Sequence, residues 1–174
     1  MKNKILPKEY YCQPATRLAC DLVGKMLCVR CGDRIVKRLI TETECYYGSE
    51  DTACHASRGK TARTKILYEE GGLAYIYLCY GIHALLNVVT GKKDHPEAVL
   101  IRGIEGAYGP GKLTKELGIT VALNGISLTE SDLLWIENNN FKTKSIASPR
   151  IGISYAAEQD RNRLWRYTIE KTQI

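Results

Sequence analysis

Phenylalanine is almost absent from this chain, with one residue in 174 against eleven tyrosines. Ring area therefore comes from a side chain whose hydroxyl keeps it wettable at an exposed site, which suits a stacking surface as well as a core. No apolar run approaches the roughly 20 residues that a membrane-spanning helix needs, which excludes such a span. Residues 1–8 lack the apolar segment of a secretory signal, and the seven cysteines are odd in number and irregularly spaced. They are expected to be reduced thiols in a cytoplasmic protein, and the compact chain without a targeting segment points to a bacterial cytoplasm. Internal repeats, low-complexity stretches and linkers of domain-boundary character are also missing, so residues 1–174 are expected to form one domain, with any disorder confined to the two ends.

What is present begins with charge. Lysine and arginine number 25 against 19 acids, a formal charge of +6 spread along the chain. That surplus predicts a basic face and fits a polyanionic partner, although many soluble enzymes carry as much. Leu18, Ala19, Leu22 and Val23 recur at helical spacing after Pro14, and Gly24 is placed as a stop, which predicts a first helix. Residues 26–29 and 35–46 have strand composition, with Arg30, Cys31, Gly32 and Asp33 as turn residues between them. Residues 48–64 are polar and irregular, as in a loop that is functional or disordered. Three more strands are expected over 73–78, 84–90 and 98–105, and a helix over 112–117 opened by Gly109-Pro110-Gly111. Short elements follow around 132–137, 150–154 and 165–169. The pattern predicts an α+β fold, a curved and largely antiparallel β-sheet flanked by short α-helices.

Three motifs compete for the chemistry. Cys28-Val29-Arg30-Cys31 has metal or redox spacing, with Cys45, Cys54 and His55 as conceivable partners, but a second ligand pair at matching spacing is lacking and small buried thiols explain it equally. Gly106 to Lys112 follows the phosphate-loop pattern until Leu113, which stands where a magnesium-binding hydroxyl is required. A helix N-terminus meeting a phosphate explains the same glycines. In Glu42-Thr43-Glu44-Cys45-Tyr46, two carboxylates and a ring alternate along one strand face, just before the loop that carries His55. Further on, Tyr75 and Tyr77 share a face and Tyr80 stands at a turn, an arrangement suited to stacking bases.

Those residues, in order, resemble the alkyladenine (3-methyladenine) DNA glycosylase family, of the antiparallel-sheet type found in mammals and many bacteria. The resemblance runs almost end to end: Gln13-Pro14-Ala15, Leu18-Ala19, Leu22-Val23-Gly24, Ile40 to Tyr46, Glu50-Asp51, His55, Gly72 to Tyr77, Tyr80-Gly81, Asn87, Val99 to Arg102, Gly109 to Leu113, and Arg150-Ile151-Gly152. It implies a base-excision repair enzyme acting on double-stranded DNA with alkylated or deaminated purines, working as a monomer without cofactor or metal. By resemblance, Glu44 is the general base for the hydrolytic water, with Arg102 and the backbone carbonyl of Ile151 as that water's other contacts. The guanidinium beside Glu44 is expected to favour the ionised form. Tyr46, His55 and Tyr77 match the residues that enclose the extruded base. Asn87 matches the one that collides with the amino group of guanine, and Tyr80 the side chain that wedges into the vacated stack. Lys112, Arg58 and Arg63 are expected at phosphates, and Tyr75 at the DNA-facing surface. Two departures stand out: the loop between His55 and Arg63 is one residue shorter than in the mammalian pattern, and Cys45 replaces an alanine expected beside the base. With no lysine at a pocket position, direct hydrolysis without strand cleavage is expected. A non-catalytic nucleic-acid-binding domain would use the same tyrosines and basic charge, but would have little use for a buried acid that repels phosphate.

Overall fold

A short helix α1 (Lys8–Tyr11) and a second, α2 (Ala15–Leu22), lead into the hairpin of β1 (Met26–Cys31) and β2 (Arg34–Tyr47) in the computed structural model, which describes residues 4–139 and 143–170. After a long loop come β3 (Ala74–Cys79), β4 (His83–Val89), β5 (Glu97–Ile104) and the two-residue β6 (Ala107–Tyr108). Helix α3 (Pro110–Leu117), β7 (Leu134–Glu137), β8 (Ser145–Ser148), α4 (Glu158–Arg161) and β9 (Arg166–Ile169) complete the order. The extreme ends, where any disorder is expected, fall largely outside the described residues.

All strand pairings are antiparallel, in the order β3-β4-β5-β2-β1-β7, with β6 on β5, β9 on β2 and β8 on β9. The result is an α+β domain in which, among the described residues, a curled antiparallel sheet carries four short α-helices. Strand β2 causes the curl. Its first half pairs with β1 from Arg34 to Leu39, and its second half pairs with β5 from Ile40 onward, while β9 takes the edge that β1 has left. At the changeover the register slips twice, leaving Thr41 of β2 and Arg102 of β5 without a partner opposite. Bulges of this kind bend a strand and re-aim its side chains.

Beneath the sheet, α2 buries Ala15, Leu18, Ala19 and Leu22, the expected i, i+3, i+4, i+7 stripe. Pro14 at its start offers no capping side chain, so the buried Glu97 carboxylate of β5 accepts from the Ala15 amide instead, at 2.6 Å. The Thr43 hydroxyl donates to the Ala19 carbonyl at 2.6 Å, locking β2 onto this helix. Thr43 thus faces the core, and Glu42 and Glu44 face the other way.

Several boundaries differ from expectation. Arg30 and Cys31 pair with Ile35 and Arg34, so the first turn is only Gly32-Asp33. Residues 150–154 form no regular element, and residues 48–64 are an ordered loop containing the 3₁₀ turn His55–Arg58. The phosphate-loop pattern is divided: Gly106 lies in the turn between the paired Ile104 and Ala107, while Gly109, at φ +115°, caps α3 ahead of Pro110. Its glycines therefore serve two separate turns and do not wrap one phosphate.

Candidate active site

Glu44 is fully buried on the face of β2 opposite Thr43. Its Oε1 accepts from the Ile151 amide at 2.8 Å, and its Oε2 accepts from the Tyr46 hydroxyl at 3.0 Å. Arg102 Nε lies 3.6 Å from the same Oε1, but closer, at 3.1 Å, to Oε1 of Glu42. Burial pushes the Glu44 carboxyl above its ordinary range; Arg102, the Ile151 amide and the Tyr46 hydroxyl pull the other way without cancelling it. Arg102 favours the ionised form, as expected, but burial outweighs it. A carboxyl with raised proton affinity, close to the surface of a cleft, is suited to taking a proton from water.

A ring-walled cavity lies alongside, lined by Tyr46, His55, Tyr75, Tyr77, Asn87 and Tyr155 over an apolar floor that includes Leu67 and Ala98. The His55 and Tyr77 rings approach edge to face at 4.6 Å, and those of Tyr75 and Tyr77 are tilted at 5.3 Å. Burial first, then Arg63 and Arg58, lowers the His55 pKa to about 4, so its imidazole is neutral at physiological pH. The Asn87 amide donates to the Tyr75 carbonyl at 3.2 Å and is 4% exposed, so it has little freedom to swing aside.

Outside this cavity a cleft of about 790 Å³ runs past Tyr46, His55 and Tyr77 to Arg102 and Ile151, with Arg63, His83, Lys112 and Lys115 along it. Its size is within the range of ligand pockets, and its cationic wall suits a phosphate backbone. At one end stands Tyr80, 92% exposed, with φ +52°, followed by Gly81 at φ +71°. A left-handed backbone costs a non-glycine residue roughly 1–2 kcal/mol. That strain puts an aromatic ring at the tip of the β3–β4 hairpin, open to solvent beside the cleft. Arg58 is exposed on the turn after His55 and lines a neighbouring groove with Ser57, Thr61 and Arg63.

The comparisons agree with this geometry. Residues 9–173 match the family model for methylpurine-DNA glycosylase. The chain belongs to the methylpurine-DNA glycosylase family. A protein from Methanocella arvoryzae is 42% identical, over 94% of this chain and 91% of its own. One from Borrelia garinii subsp. bavariensis is 39% identical over 97% and 98%, and one from Bdellovibrio bacteriovorus 41% over 88% and 90%. All three carry the provisional name 3-methyladenine DNA glycosylase.

In this methylpurine-DNA glycosylase the residues singled out in the sequence converge, with corrections. Tyr75, expected at the DNA-facing surface, is only 3% exposed: its hydroxyl meets His55 Nδ1 at 3.0 Å, so it supports the imidazole from behind. Cys45 does not stand beside the base cavity; strand alternation turns it into the core. Ile151 meets Glu44 through its amide. Arg63, expected at a phosphate, also holds its guanidinium 4.8 Å over the Tyr77 ring. Among the described residues no group of three or more His, Cys, Asp or Glu is placed to hold a metal ion.

Sequence reading missed Tyr155, whose ring lines the cavity and whose hydroxyl donates to the Ala53 carbonyl at 2.9 Å. It also missed what Arg150 does. That side chain is wholly buried, stacks 4.9 Å from the Tyr46 ring and donates to the Cys45 carbonyl, so it ties the cavity wall to the chain segment that presents the Ile151 amide. The only available signal was its adjacency to Ile151.

Proposed function

We propose that this methylpurine-DNA glycosylase extrudes a damaged purine of the 3-methyladenine, hypoxanthine or etheno-adenine class from duplex DNA and hydrolyses its N-glycosidic bond. The base stacks between Tyr46 and the His55–Tyr77 pair, with Tyr80 filling the gap left in the helix. As the bond from the sugar C1′ to the purine nitrogen breaks, its electron pair leaves with the base and positive charge spreads over the sugar ring. The ionised Glu44 steadies that charge and accepts a proton from water as the water oxygen bonds to C1′. Arg102 and the Ile151 backbone orient this water. The products are free base and an abasic site.

The observation that carries this reading is a fully buried carboxyl bonded to Tyr46, which lines both the ring-walled cavity and the cationic cleft, and to the Ile151 amide, with Arg102 of the cleft 3.6 Å away. A binding module gains nothing from an acid there, because desolvating it is unfavourable. Asn87, fixed beside the base, excludes the 2-amino group of guanine. Among the described residues no lysine lines the inner cavity, and Lys112 and Lys115 stand farther out along the cleft. This supports direct hydrolysis over Schiff-base attack. The protein acts as a monomer, in the cytoplasm, without a cofactor.

The test is a panel of duplexes, each with one lesion, incubated with excess protein. Base release followed by strand breaks that appear only after alkali supports the proposal. Breaks without alkali, together with a borohydride-trapped covalent complex, contradict the hydrolytic route.

A further inference from the structure

Arg102 is closer to Glu42 than to the residue it is proposed to assist. Glu42 Oε1 accepts from Arg102 Nε at 3.1 Å and from Arg166 at 2.9 Å, while Arg102 Nε reaches Glu44 only at 3.6 Å. Four charges thus alternate across three strands: Arg166 on β9, Glu42 on β2, Arg102 on β5, Glu44 on β2. The arrangement is built into the backbone. Arg102 is the unpaired residue of the β5 irregularity. Gly103 next to it leaves room for Glu42, since a Cβ there would lie 3.1 Å from Glu42 Cβ and 3.1 Å from Thr41 Oγ1. Arg166 is fixed by donating to the Pro149 carbonyl at 3.0 Å.

We infer that Glu42 is a positioning residue: its carboxylate, held by Arg166, keeps Arg102 from pairing fully with Glu44 and so leaves Glu44 free to accept the proton of the attacking water. An arginine carboxylate pair closed in bidentate geometry would stabilise the ionised acid and weaken it as a base. Held by Glu42, Arg102 stays near enough to orient water and too far to quench the base. The groups facing Glu44 are Arg102 from β5, Tyr46 and Glu42 from its own strand, Arg166 paired opposite it on β9, and the Ile151 amide. Arg150, in the same loop as Ile151, is occupied by Asp51. Removing the negative charge of Glu42 lowers the proton affinity of Glu44, in keeping with the raising effect Glu42 exerts on it.

The inference rests on Glu44 being the base, so its test reads protonation as well as turnover. In protein labelled with ¹³C at glutamate side chains, the Glu44 resonance, identified by its loss in Glu44→Gln, is followed against pH in the parent and in Glu42→Gln. The acid limb of single-turnover base release is recorded in parallel. Both midpoints are expected to move down, by about one pH unit for a charge contact at this range. If Glu42 merely anchors Arg102 beside Glu44, its loss releases the arginine and the midpoints move up; an upward or absent shift overturns the inference. Should Glu42→Gln fail to fold, Arg166→Gln decides: with Glu42 no longer held, Arg102 closes on Glu44, so a downward shift is expected and an upward or absent one is contradictory. A Glu44 midpoint that shifts in a protein without base release would refute the proposed function and leave the charge arrangement standing.

Discussion

Arg150 and Asp51 form a fully buried, two-pronged ion pair, with contacts of 2.6 and 2.8 Å, behind the aromatic cavity. Asp51 also accepts from the Tyr47 and Ala53 amides, so a single carboxylate ties the end of β2 to the loop that presents His55. Removing one partner of such a pair leaves an uncompensated buried charge, at a cost of about 3–5 kcal/mol. Asp51→Ala is expected to show a loss of that order in urea unfolding. A loss under about 1 kcal/mol would place it with ordinary exposed pairs and remove the pair from the site's framework.

Glu44 makes the fold sensitive to pH in an identifiable direction. Its folded pKa is raised above the ordinary 4.5 by burial, so its contribution is most favourable below that value and is lost as pH rises through the folded pKa. Glu44→Gln carries no such slope. The difference in Tm, parent minus variant, is therefore expected to fall as pH is raised from 4 toward neutrality; a difference that rises would mean a carboxylate stabilised in its ionised form.

His55 predicts the opposite dependence. With its pKa lowered from 6.5 to about 4, it stabilises the fold above pH 6.5, and that contribution is lost as pH falls from 6.5 to about 4. Its imidazole resonances are expected to titrate near pH 4, and His55→Phe to flatten the acid side of the stability profile. A midpoint at or above 6.5 would show a charged imidazole in the cavity.

Tyr80 separates folding from function. Glycine at this position relieves the left-handed backbone, so Tyr80→Gly is expected to unfold no earlier than the parent. It should excise more slowly from duplex DNA, since nothing then fills the emptied stack. Unchanged duplex excision by Tyr80→Gly would remove the wedge from the mechanism.

Much of this was legible in the sequence because alternation is a strong local signal. Glu42, Thr43, Glu44, Cys45 and Tyr46 could be assigned to faces by parity alone, and the resemblance supplied His55, Tyr77 and Arg102. The errors arose where contacts are distant in sequence. Tyr75 and Tyr77 share a parity, yet only burial by Leu67 and Ala56 shows that Tyr75 lies behind the imidazole. For Cys45, strand parity points to the core and outweighs the resemblance, which sets it beside the base. The displacement of Arg102 toward Glu42 depends on a register slip that no local pattern announces. The pairing of Arg150 with Asp51 spans 99 residues. Elements of four residues, such as α4 and β8, are too short to show periodicity.

The most direct measurement is single-turnover release of hypoxanthine or an alkylated adenine by Glu44→Gln, with duplex affinity recorded on the same lesion. Loss of a base of this kind is expected to slow release by about 10²–10⁴-fold while affinity stays near the parent's. Release at the parent's rate by the folded, DNA-bound variant would contradict a catalytic Glu44.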